Sequence, residues 1–271
     1  MSNLLLILAR LCHPSCFGTI AILLLLVIKP ACAEPAPSAD APMNQSSEQI
    51  DPLNSPYPVP WNWVMATYTE VSNTRGTGVR YYRSPSLISP DGRYAAYSRI
   101  QLQVKPELYN SRVNSIMFLE NLATGDLRVI TAASPLANNP LTATEASQMP
   151  GAIAILMPVA WSEVGDRILA RQFEGLFSSS NASDYAVIWD RQGDRTHTLS
   201  PQANSYSHAV LLGWSQNNPN RVLFRAGHLG DENWPLLAVD ATGKTLMANG
   251  DRPMTFGRVV NNIWAGPQAY R

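Results

Sequence analysis

The chain has 271 residues with 20 basic and 20 acidic side chains, so its formal net charge is zero. That balance, with no block of like charge, argues against nucleic acid as a partner and against a charged interaction tail. Hydrophobic residues at 45% and charged ones at 15% suit a globular protein with a sizeable core, and 21 Pro with 16 Gly favour many turns.

Residues 1–33 read as a secretory signal. Arg10 and His13 give a polar lead-in, residues 17–28 an apolar run, and Ala31-Cys32-Ala33 small residues where signal peptidase inspects the chain. The run is shorter than the roughly 20 residues a spanning helix needs. Cleavage after Ala33 is therefore expected, with an uncleaved membrane anchor as the alternative. Cys12, Cys16 and Cys32 all fall in this segment. A mature chain without cysteine has no disulfide, thiolate metal site or cysteine nucleophile, and fits a bacterial periplasm or secreted envelope location.

Residues 34–60 are rich in Pro, Ala, Ser, Asn and Gln, and read as a disordered tether. Residues 61–271 then form the expected globular domain. Residues 61–71 have strand-like composition, and Val79-Arg80-Tyr81-Tyr82 offers a partner strand.

Three recurring segments follow. Ser89-Pro90-Asp91-Gly92-Arg93-Tyr94, Trp161-Ser162 leading to Gly165-Asp166-Arg167, and Trp214-Ser215 leading to Asn220-Arg221 each end an apolar strand at Ser, turn, and re-enter a strand after Arg. A second turn built on Gly125, Gly193 or Gly243 lies downstream in each. Asp190 and Asp240 stand three residues before that Gly, where an Asx side chain bonds the turn backbone; the first segment has Asn121 one residue earlier. Short strands alternate with turns, and no helical period intervenes. A unit returning in this order signals blades, solenoids or arrays.

The repeated hairpin resembles the Pro-Asp-Gly repeat of TolB-like and prolyl-oligopeptidase-type β-propellers. The first unit is the close match, and the resemblance spans roughly residues 84–247. It implies an all-β fold, a small or incomplete β-propeller of four-stranded antiparallel blades, and a role as an interaction scaffold near a bacterial envelope. The anchors at 89, 162 and 215 are spaced more widely than the roughly 40 residues of a compact blade, so the three units carry insertions. A composite fourth blade is expected from the two chain ends, pairing residues 61–82 with Phe256-Gly257-Arg258-Val259-Val260 and Ile263-Trp264. An incomplete or dimer-closed ring is the alternative.

In such blades the long connections share one face: residues 102–114, 132–157, 174–184, 202–207 and 227–234. Long loops on a rigid scaffold are where recognition is usually placed. Candidate binding residues there are Lys105, Glu107 and Tyr109; Glu174 with Asp184; and His228, Asp231, Glu232 and Trp234. An aromatic beside carboxylates and a His suits a sugar ring or a peptide. A metal reading of His228-x-x-Asp231-Glu232 names too few ligands, so no metal or cofactor is expected. Gly213-Trp214-Ser215-Gln216-Asn217 lacks the second Gly of a nucleophile elbow and ends a strand. His208 begins a strand and is a candidate to face a central channel, whereas His197 reads as surface or packing. Trp161 and Trp214, at matching positions, read as wedges between neighbouring units, with Trp189 also core.

The expected function is an exported, non-enzymatic binding protein whose partner is a protein or an envelope glycan. Two alternatives stay open. One is a glycan-active enzyme using Glu107, Glu174, Asp231 or Glu232 as acid and base. The other is a degenerate, purely structural propeller.

Overall fold

The computed structural model describes residues 50–74, 76–137, 149–202 and 205–261. The expected signal segment, residues 34–49 of the tether, and Ile263-Trp264 lie outside the described residues.

Helix α1, Trp61–Thr74, opens the described domain where a strand was expected. Trp, Val, Tyr and Thr are strand formers by composition, but spacing decides here. Trp61, Val64, Tyr68 and Val71 recur at the helical period and put one apolar face inward. The Val64 N–H bonds Pro60 O at 3.1 Å in the first turn. Gly76, at φ +72°, closes the other end by donating its N–H to Val71 O at 3.0 Å.

After β1, Gly78–Arg83, the three repeats form three four-stranded antiparallel meanders. Module 1 holds β2 (Ser86–Ile88), β3 (Tyr94–Val104), β4 (Arg112–Asn121) and β5 (Leu127–Ile130). Module 2 holds β6 (Ala152–Trp161), β7 (Arg167–Leu176), β8 (Ala182–Asp190) and β9 (Arg195–Leu199). Module 3 holds β10 (His208–Ser215), β11 (Arg221–Gly227), β12 (Leu236–Asp240) and β13 (Thr245–Met247). Two short strands, β14 (Pro253–Met254) and β15 (Arg258–Val260), complete the order.

The recurring serines are chemically equivalent. Ser89, Ser162 and Ser215 are all buried, and each hydroxyl donates to a carboxylate while accepting a turn N–H. The carboxylate is local in the first two, Asp91 at 2.6 Å and Asp166 at 2.5 Å. Module 3 lacks an Asp in its own turn and takes Asp251, also at 2.6 Å. Downstream, the side chains of Asn121, Asp190 and Asp240 each accept N–H groups from their second turn.

Modules 1, 2 and 3 pack against one another in chain order. On β7, Ile168 and Ala170 face module 1 while Leu169 faces module 3. Trp161 sits between modules 1 and 2 and donates its Nε1–H to Leu87 O at 3.1 Å; Trp214 occupies the matching place in the core shared by modules 2 and 3. The middle module is thus buried on both faces, which is why its strands read as nearly continuous apolar runs. The links between modules also repeat. Ser115 on β4 accepts Leu156 N–H at 2.5 Å, and Asp184 on β8 accepts Leu211 N–H at 2.9 Å. β4 and β6 join the first two modules by a short parallel pairing, Val113 with Ile153 and Asn114 with Ala154. The sheets remain open: β15 and β9 end one, and β13 and β14 end the other.

The expected composite fourth blade does not form among the described residues. Residues 61–74 are helix, and β1 instead lengthens module 1 by pairing with the far half of β3, Gly78 with Val104 through Arg83 with Arg99. The C-terminal segment runs past the first strand of every module. Met254 pairs with Trp214, Phe256 bridges Trp161, and residues 258–260 pair with 86–88. Residues 51–60, placed in the tether by composition, are held against module 2 by a buried ion network.

Candidate functional site

The β3–β4, β7–β8 and β11–β12 connections meet along one rim. Residues 105–111 link β3 to β4 and contain a short helical turn at Leu108–Asn110, fixed by Ser111, which bonds back to the Lys105 N–H at 3.0 Å. Gly151 (φ +75°) passes so close that an added Cβ would stand 2.7 Å from Tyr109 O. Its carbonyl accepts Phe177 N–H at 2.9 Å, which ties in residues 177–181 of module 2. Ser180 O meets His208 Nε2 at 2.8 Å, and the His208 ring lies 6.0 Å from that of Trp234 in module 3. The chain of contacts from Tyr109 to Trp234 therefore crosses all three modules.

Trp234 folds back over Gly227, where any Cβ would stand 2.5 Å from the indole, and donates Nε1–H to His228 O at 3.0 Å. The Asp231 carboxylate accepts the His228 N–H at 2.9 Å, and His228 Nε2 meets Ser205 Oγ at 3.0 Å. The predicted His228, Asp231, Glu232 and Trp234 group is thus one ordered loop, with Trp234 partly covered and the other three exposed. Lys105, Glu107 and Tyr109 lie together on the module 1 stretch of the rim, and Glu107 and Tyr109 are exposed.

Glu174 and Asp184 stand differently. Glu174 is buried and accepts bonds from Ser134 Oγ, Leu136 N at 3.0 Å and Gln172 Nε2 at 3.2 Å, so it anchors residues 134–136. Asp184 is fully buried. A carboxylate so committed does not face solvent, and neither supplies a free acid or base in a cleft.

Asp184 belongs to a network that composition did not show. Arg171 Nε donates to Asp184 Oδ1 at 2.7 Å, Nη1 to Asp51 Oδ2 at 2.7 Å and to Tyr57 O at 2.7 Å, and Nη2 to Asp51 Oδ1 at 3.2 Å. Asp51 also accepts the N–H groups of Leu53, Ser55 and Val59. One buried guanidinium therefore holds residues 51–59 onto module 2, and the Tyr57 hydroxyl, donating to Leu212 O at 2.9 Å, ties them to module 3. Burial pushes the Asp184 carboxyl up to about 6, against Arg171 and the Leu211 N–H, which pull it down. At Asp51 burial raises as well, but Arg171 and the backbone donors outweigh it and its pKa falls below the ordinary value.

An apolar cavity of about 350 Å³ lies beside this strap, between Pro56–Pro58, Ser84–Leu87, Pro158 and Phe256. His208, a candidate for a central channel, is instead buried against Ser180 and Ser207, and His197 is exposed on β9. Among the described residues no group of three or more His, Cys, Asp or Glu is placed to hold a metal ion, and no helix is long and apolar enough to cross a membrane. Neither a protein-family model nor a curated protein matches this chain.

Proposed function

We propose that the protein is a non-enzymatic binding module that recognises a protein partner through the rim of long connections. One observation carries this reading. Tyr109, Met149 and Leu229 are 57%, 54% and 69% exposed, and all three stand on the rim. They sit on loops pinned by specific contacts rather than free to collapse inward. Single exposed apolar side chains are ordinary, but several gathered on the long-loop side of a fixed frame suit a recognition surface. His228, Asp231, Glu232 and Trp234, with Lys105 and Glu107, supply the polar surround that such interfaces carry. The stack of modules is the open form of a propeller-like arrangement, and an exported, envelope-located scaffold is the setting that suits it.

A photo-crosslinking residue placed at position 109 or 229 tests the reading, with Val164, an exposed residue on the opposite turn side, as control. Partner adducts are expected from 109 and 229 and not from 164. Equal adducts from 164, or none from the rim, would overturn it.

A further inference from the structure

The outward face of module 1 carries a second, chemically different surface. Register places Val79, Tyr81 and Arg83 of β1 beside Gln103, Gln101 and Arg99 of β3. The alternate side chains of β3, including Ala96, Ile100 and Leu102, turn into the cores, so this set points away from them. β1 pairs with β3 alone among the described residues, which leaves its other edge open. Such an edge presents a row of backbone donors and acceptors that proteins usually guard.

Arg83 and Arg99 stand directly opposite each other. Like charges in that relation are destabilising unless something compensates. Here each guanidinium lies over an aromatic ring, Arg83 3.8 Å from the Tyr97 centroid and Arg99 5.9 Å from that of Tyr81. Glu120 shares the face but is buried near Arg83. Arg99 is exposed and makes no ion pair among the described residues. Val79 and Tyr81 add apolar surface, 41% and 61% exposed.

We propose that β1 and its arginine–aromatic face bind an extended acidic segment of a partner protein, added as a further strand. The open edge supplies main-chain hydrogen bonds, and alternate side chains of the added strand reach the face. Arg83 is already committed, its Nη1 and Nη2 donating to Ser84 O and Ser86 Oγ. A carboxylate of the added strand therefore reaches the exposed Arg99 over the Tyr81 ring and gains a charge-assisted bond there. A second copy of this chain stacking here by the inter-module mode is a poorer occupant. The Trp wedge position is Ile88 in module 1, and the place of Ser115 and Asp184 is Trp234 in module 3, so the terminal faces lack the devices that join modules.

The test uses short fluorescent peptides in which Glu alternates with Val or Thr, titrated against the full chain by anisotropy. Saturable binding is expected, weakened at least about tenfold by Arg99→Glu, largely kept by Arg99→Lys, and accompanied by amide-exchange protection at residues 78–83. Absence of saturable binding, indifference to Arg99→Glu, or protection elsewhere would overturn the proposal. So would binding of heparin or phosphatidylglycerol vesicles where the peptides fail.

Discussion

Asp51 and Arg171 meet in the protein interior, Oδ2 to Nη1 at 2.7 Å, although 120 residues of chain separate them. The pair, completed by Asp184, is what makes a Pro-rich leader part of the folded body. Replacing Arg171 with Met leaves two carboxylates buried without their counter-ion. We expect a loss of about 3–5 kcal/mol, measured by denaturant unfolding, with protease cleavage appearing first within residues 51–60. An unchanged midpoint would show that the network is not holding the strap.

The same network sets a pH signature. Asp184 has a folded pKa of about 6 against an ordinary 3.8, so the stability it contributes is fully present below about 3.8 and is lost as pH rises through 6. Asp51 has the opposite sign. Its folded pKa is lowered, so its contribution is present above the ordinary value and is lost as pH falls. Unfolding of wild type and Asp184→Asn across this range should show the wild type losing ground relative to the variant as pH rises from 4 to 6. A gap that moves the other way would contradict the assignment.

Module 3 borrows its carboxylate, and that should be visible as coupling. Ser215→Ala and Asp251→Ala are each expected to cost about 1–3 kcal/mol, because each leaves partners unsatisfied. In a double-mutant cycle the pair should couple by about 0.5–3 kcal/mol. Ser162 with Asp251 should be additive, since Ser162 bonds Asp166 instead.

These serines also show why so much of the fold was legible. A Ser–Asp turn and an Asx turn are local chemistry, readable from a few adjacent residues, and both hairpins of each module follow from them. The loops that carry Lys105, Glu107, Tyr109, His228, Asp231, Glu232 and Trp234 were legible for the same reason, whereas Glu174 and Asp184, expected in a loop, lie buried on β7 and β8. What was missed depends on distant partners. Nothing near Asp51 announces a buried Arg171, and β15 has no partner until β2 is placed beside it. Helix α1 was missed because residue type spoke for strand while the packing of Val64 and Val71 over β3 and β4 rewarded the helical spacing.

Gly257 tests the C-terminal segment. At φ +107°, with an added Cβ 2.8 Å from the Trp161 ring and 2.9 Å from Ile88 O, it admits no side chain without shift. Gly257→Ala should cost about 1–3 kcal/mol of strain. It should also speed amide exchange at Trp161, whose N–H bonds Phe256 O at 2.8 Å. Exchange as slow as in wild type would mean the segment does not clasp the first strands.

Recognition by the rim is best tested by the affinity of a crosslinked, identified partner for wild type and for the Tyr109→Ser, Leu229→Ser double variant. Affinity should fall about tenfold or more while the unfolding midpoint stays where it was, because both side chains already face solvent. Undiminished affinity in a folded variant would place the partner elsewhere on the molecule.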